Sequence, residues 1–149
     1  AELYRRFGEL FSVYDEQRAQ AEEATGGLSP FESTQRVITS FSCLMENPQR
    51  AQQAYESHWD LVIVDESHHL EWDDLEPDPR WSLIKKMSSQ VNGLLLLTAT
   101  PSQRGLATQF GLLNLIDPQG FGDFDEFQKS LLCANRQRLL TLQNSLSGE

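Results

Sequence analysis

Four short apolar runs punctuate the chain, separated by longer polar or mixed stretches. Leu10-Phe11-Ser12-Val13-Tyr14 reads as a short strand, preceded by a helical remnant around Leu3 to Phe7. Arg36-Val37-Ile38-Thr39-Ser40-Phe41 is β-branched and polar-bounded, which predicts a second strand. Leu61 to Val64 and Leu94 to Leu97 are the third and fourth. Between the first two strands, Arg18 to Pro30 is polar, with Gly26-Gly27 and Ser29-Pro30 marking a loop. A helical pattern covers Cys43 to about Tyr55, with Pro48 in a turn or a first-turn position.

Beyond the third strand lies a Pro- and acid-rich loop, Glu71 to Pro79. Pro79 suits the first turn of a helix running to Val91, and Asn92-Gly93 stops it before the fourth strand. Strand, helix, strand over this span is a βαβ unit, expected to be right-handed with parallel strands. Continuous apolar strands, rather than alternating ones, predict a sheet covered on both faces. Downstream, Gly105 to Leu115 reads as a helix and Asp117-Pro118 as its break. Phe121, Phe124 and Phe127 then recur at three-residue spacing, and Leu131 to Leu146 is amphipathic and helical. The reading is one α/β domain.

Composition narrows the class. With 149 residues and 39% apolar content the chain can bury one proper core. No apolar run approaches the ~18 residues of a membrane span, and no signal peptide is visible. The two cysteines, Cys43 and Cys133, stand far apart outside any CxxC pattern, which suits reduced thiols in a cytoplasmic protein. The net charge of −10 argues against the whole surface being a nucleic-acid footprint. Contact with DNA would come from a local face or from other parts of a larger protein.

The densest chemistry is Asp60-Leu61-Val62-Ile63-Val64-Asp65-Glu66-Ser67-His68-His69. Carboxylates at the C-terminal end of an apolar strand occupy the position where nucleotide-binding α/β folds do their chemistry. Nucleoside triphosphate hydrolysis needs one carboxylate to hold Mg²⁺, usually through water, and another to orient or deprotonate the attacking water. Asp65 and Glu66 can fill those two roles. One crossover later, Leu94 to Leu97 ends in Thr98-Ala99-Thr100-Pro101, a distance that fits one helix and a return strand and so a loop beside the carboxylates, with a plain strand end and Pro-terminated turn as the alternative. For His69, a packing role and a functional role both stay open. Asp65, Glu66, His68 and His69 could also ligate a transition metal, but HExxH spacing and a Cys cluster are both absent. The three lysines, Lys85, Lys86 and Lys129, never follow a Gly, so the chain lacks the Gly-Lys-Ser/Thr turn that cradles phosphates.

These segments resemble the superfamily 2, Swi/Snf-type ATPases, and within them the bacterial, RNA polymerase-associated, RapA-type branch. WDLVIVDESHHLEW, GLLLLTATPSQRG and LIDPQGFGDFDEF carry the resemblance, which covers about residues 7–128. It implies a partial RecA-like (P-loop NTPase) fold, a mainly parallel sheet flanked by helices without its P-loop strand. In such a lobe that strand lies against the sensor strand, so Leu94 to Leu97 is expected to leave an unpaired apolar edge. Residues 1–128 would be part of the first RecA-like lobe and 129–149 a C-terminal helical segment.

The resemblance further implies that Asp65 coordinates Mg²⁺, Glu66 activates water and His68 couples to the sensor loop through Thr98 and Thr100. Thr98, Ala99 and Thr100 match the motif that communicates ATP state to the DNA path. Thr39, Ser40 and Phe41 resemble a nucleic-acid backbone contact, an ordinary strand end being the alternative. Implied cofactors are ATP and Mg²⁺, both needing the absent P-loop for a complete site. Implied partners are double-stranded DNA, RNA polymerase and the remaining RecA-like segments of a parent chain, in the bacterial cytoplasm. The implied activity is that of an ATP-dependent DNA translocase that recycles or remodels the polymerase. The alternatives are a catalytically inactive DNA- or polymerase-binding module, a DEAH-type unwinding helicase and, outside these, a metal-dependent hydrolase.

Overall fold

A computed structural model describes residues 2–24, 29–99 and 105–146. The order of elements is α1 Glu2–Phe7, β1 Ser12–Tyr14, α2 Glu16–Ala24, β2 Val37–Thr39, α3 Phe41–Glu46, α4 Pro48–Glu56, β3 Leu61–Val64, α5 Pro79–Ser88, β4 Gly93–Leu96, α6 Leu106–Ile116 and α7 Phe124–Leu146. Single 3₁₀ turns lie at Pro30–Glu32 and Ser67–His69. Contacts divide the chain into two units, Ala1–Val64 with Asp78–Leu95, and Asp65–Pro77 with Leu96–Glu149.

In the first unit β1 and β2 pair in parallel, with Ser12 opposite Val37, Val13 opposite Ile38 and Tyr14 opposite Thr39. Alternation along a strand sends successive side chains to opposite faces. Tyr14 therefore enters the core while Val13 and Ile38 lie side by side in solvent. Tyr14 meets Phe31, which meets Trp59 edge-on, and Leu44, Ala54, Ile84 and Met87 are buried in the same unit. Three helices start as their sequences dictate. Ser40 Oγ accepts from the Cys43 N–H, Asn47 Oδ1 from Gln49 and Asp78 Oδ1 from Arg80, with Pro48 and Pro79 inside the first turns of α4 and α5.

Two expectations fail here. Arg18 to Pro30 is no loop at its start: α2 occupies Glu16–Ala24, a helix whose only apolar residues are alanines and of which only Ala19 is buried. Its anchor is Arg50 of α4, 1% exposed, whose guanidinium binds Glu16 and Glu23 of α2 and Gln53 of its own helix. Periodicity cannot reveal a helix held by charge. The predicted strand Arg36 to Phe41 also shortens to Val37–Thr39, because Ser40 turns into an N-cap and Phe41 opens α3. The glycines Gly26-Gly27 lie outside the described residues.

β3 pairs with β4. The Gly93 N–H donates to the Asp60 carbonyl at the entry to the two strands. At their exit the Ser67 N–H donates to the Leu97 carbonyl. Both strands thus run the same way, as the βαβ reading requires. The four strands form two separate two-stranded sheets among the described residues, and β4 has no second strand neighbour there. The expected cover on both faces is not found among the described residues. Leu61 and Ile63 are 53% and 54% exposed, and Leu95 and Leu97 are exposed as well, whereas Val64 is buried. Apolar residues on both faces of a strand report that it can be covered, not that the cover lies within this stretch of chain. The helix between them, α5, ends at Ser88 rather than Val91, where the Ser89 N–H closes onto Lys86 and Met87.

The second unit is built on aromatic rings. Trp72, from the loop after the Ser67–His69 turn, lies 4.6 Å from Phe110 of α6 and 5.2 Å from Phe124 of α7. Phe110 also meets Phe127 at 5.5 Å, and Phe121 meets Phe127 edge-on at 5.8 Å. The three-residue Phe spacing thus serves packing: Phe121 precedes α7 while Phe124 and Phe127 occupy its first turn. Gly105 caps α6 at φ +88°, a conformation that suits Gly because it has no Cβ. Among the described residues no helix is long and apolar enough to cross a membrane.

Candidate active site

The Asp-Glu-Ser-His-His segment leaves β3 through a tight turn rather than a continued strand. Asp65 is exposed, and its Oδ1 accepts the N–H of Glu66 at 2.9 Å. Glu66 then takes φ +51°, ψ +42°, the left-handed region, and is the only non-Gly residue with positive φ among those described. A side chain there costs on the order of 1 kcal/mol or more, and such strain gathers at functional turns. The 3₁₀ turn that follows is fastened by His69 N–H to Glu66 O and Leu70 N–H to Ser67 O. Its flanks, Ser67 and Leu70, are completely buried, and α6 packs against it.

This turn aims His68 at two partners. Its Nδ1 lies 3.1 Å from Glu66 Oε2 and 3.1 Å from Thr98 Oγ1. The Ser67 N–H to Leu97 O bond, at 2.8 Å, ties the turn to the chain just before Thr98. Glu66, His68 and Thr98 therefore form one connected cluster, with Asp65 next to it in sequence and held to Glu66 by its backbone bond. Ala99 follows Thr98 and is exposed. Thr100 lies outside the described residues, so its geometry is not part of the cluster.

Thr39, Ser40 and Phe41 belong to the other unit. There the Thr39 hydroxyl is buried without a hydrogen-bond partner among the described residues, and Ser40 Oγ is engaged as the α3 cap. Phe41 is half-buried at the start of that helix.

Among the described residues no group of three or more His, Cys, Asp or Glu could hold a metal ion. Exposed carboxylates at an open strand end suit Mg²⁺, which keeps several of its waters. A protein-caged transition ion would need more Cys, His or carboxylate donors converging on one point. The two histidines face each other rather than a common centre, with ring centroids 4.2 Å apart.

Three features of this cluster have no signal in residue spacing. They are the left-handed Glu66, the burial of Ser67 and the contact of the His69 ring with His68. Trp72, the last residue of the apolar-acidic signature, is a packing residue through Phe110 and Phe124.

Residues 13–147 match the SNF2-related domain family. The chain belongs to that family. Similar relatives of this SNF2-related domain include the RNA polymerase-associated protein RapA of Vibrio cholerae, 42% identical over 128 residues, which is 86% of this chain and 13% of the relative. The RapA of Photobacterium profundum is 40% identical over 126 residues, 85% of this chain and 13% of its own length. That of Klebsiella pneumoniae is 39% identical over 150 aligned positions, covering 98% of this chain and 15% of the relative. The SNF2-related domain described here thus spans roughly a seventh of the curated relatives it matches.

Proposed function

We propose that this chain supplies the water-activating half of an ATP hydrolysis site in an RNA polymerase-associated, SNF2-family translocase acting on double-stranded DNA. The protein would act in the bacterial cytoplasm and use turnover to recycle or remodel the polymerase. In this reading residues 1–128 are part of the first RecA-like lobe and 129–149 a helical segment beyond it. The observation that carries the proposal is the His68 contact, which links Glu66 to Thr98 at 3.1 Å on either side.

Each residue has a defined task. Asp65 would hold Mg²⁺, and the ion would neutralise charge on the phosphates. Glu66 would orient the attacking water and take its proton. His68 fixes the direction of the Glu66 carboxylate and hands the position of Thr98 to it. Movement of the sensor strand is then felt by the base through a single imidazole. Thr98, Ala99 and Thr100 would carry that signal toward the DNA path, with Thr39, Ser40 and Phe41 contributing a backbone contact.

The test is duplex-stimulated ATP hydrolysis by the longer protein that carries this domain. Glu66→Gln keeps the shape and removes the base, so turnover should fall by about 10²-fold or more. Unchanged turnover in the variant would sink the assignment. The 149-residue chain by itself contains no Gly-Lys pair, and it should show no saturable micromolar ATP binding in a calorimeter. Binding in that range would mean that the phosphates are held by other residues.

A further inference from the structure

His69 has no task in the mechanism above, yet its ring is in contact with the group that has the most exacting one. The backbone bonds of the 3₁₀ turn run from His69 N–H to Glu66 O and from Leu70 N–H to Ser67 O. Neither needs an imidazole at position 69. The His69 side chain is exposed and makes no hydrogen bond or ion pair among the described residues. What it does make is a ring contact, 4.2 Å between centroids and tilted by 37°, with His68.

The geometry of His68 explains why such a contact matters. Its Nδ1 faces a carboxylate oxygen of Glu66 and the hydroxyl of Thr98, each at 3.1 Å. The Thr98 hydroxyl can donate or accept, so it pairs with Nδ1 in either tautomer, while the Glu66 oxygen lies within ion-pair distance of the same nitrogen. A half-turn of the ring about its last side-chain bond would replace Nδ1 by a carbon and lose both contacts. That torsion is soft in histidine, with two broad, nearly equivalent wells. A second ring lying against the first is an obstacle to the turn, and aromatic contacts of this kind contribute beyond simple area burial.

We propose that His69 is a positioning residue: its ring, lying against His68, holds the Nδ1 edge toward Glu66 and Thr98. Its importance for turnover rests on the reading of Glu66 as the water-activating base. The orientation of His68 does not. The Ser67-His68-His69-Leu70 segment then divides its labour along the turn. The outer two residues anchor it in the core, the first histidine bridges base and sensor, and the second keeps that bridge from rotating.

Two measurements separate the claims. Ring-labelled histidine NMR of this chain should show His68 with its ring in a single environment. His69→Phe, which keeps a ring, should preserve that signature, and His69→Ala should lose it or split it. A wild-type His68 ring in more than one environment, or one unaltered in His69→Ala, overturns the proposal. Equal loss in the Phe and Ala variants overturns it too, since the ring would then not be what matters. In the longer protein, His69→Ala should lower kcat by about tenfold with KM for ATP within about twofold, and His69→Phe should restore kcat. A Glu66→Gln protein with full turnover would condemn the hydrolysis reading, while the NMR result would still decide the role of His69.

Discussion

Helices α2 and α7 are docked by opposite means. α2 buries little but Ala19 and is held by Arg50, whose guanidinium is shared by Glu16 and Glu23. α7 enters its unit through Phe124 and Phe127, which close on Phe110 and Trp72 without a charge in the cluster. The aromatic joint rests on burial and close packing, so it is insensitive to pH and costly to hollow out. The charged joint stands on geometry and ionisation. Its carboxylates are about a third exposed, which softens the loss of either but opens the joint to acid.

Hollowing the aromatic joint should have the largest effect. Phe110 touches Trp72, Phe124 and Phe127, so Phe110→Ala removes the ring on which the others converge. A loss of about 3–5 kcal/mol is expected in denaturant titrations followed by tryptophan fluorescence. A cost below about 1 kcal/mol would mean that the cluster collapses onto the gap and is not a rigid joint.

The charged joint should yield less to mutation and more to pH. Arg50→Ala deletes a buried cation and its packing, at about 2–3 kcal/mol, reduced from a fully buried pair because water can reach both carboxylates. Arg50, then Gln53, pull the Glu23 pKa from its ordinary 4.5 down to about 2, and Arg50, then Gln20, lower that of Glu16. A depressed carboxylate pKa contributes stability that is complete above 4.5 and is lost as pH falls through about 2. Wild-type stability should therefore drop across that window by more than that of Arg50→Ala, as read by far-UV circular dichroism. Parallel acid curves for the two proteins would show that Arg50 is not the cause.

The smallest effect is expected inside the site. The Ser67 hydroxyl is buried without a hydrogen-bond partner among the described residues. Ser67→Ala should be neutral or stabilising by up to about 1 kcal/mol, because it removes an unsatisfied polar group without opening space. Clear destabilisation in a thermal melt would reveal a partner for that hydroxyl.

Much of the site and the strand skeleton is legible in the chain itself. An apolar run ending in Asp65-Glu66, and a second ending in Thr98, fix two strands and set their chemical ends together. Period and punctuation carry that information, since Pro79 starts the intervening helix and Asn92-Gly93 follows its last turn. The same rules place Pro48 and Pro79 in first turns, where a missing N–H costs nothing. They go wrong where stability comes from a pair of distant side chains. α2 has no apolar stripe to read, and the residue that secures it, Arg50, lies 27 positions beyond Glu23.

What the sequence by itself determined is which residues make up the candidate site and which strands present them. Local patterns decide this because a strand end and a cap are made by neighbours. Only the tertiary structure decided that Glu66 is left-handed, that His68 Nδ1 lies 3.1 Å from both Glu66 and Thr98, and that His69 lies against it. It alone also decided that the apolar face of β3 stands in solvent. Ring orientation, backbone strain and burial depend on what the rest of the chain brings to within a few ångströms, and no local pattern records that.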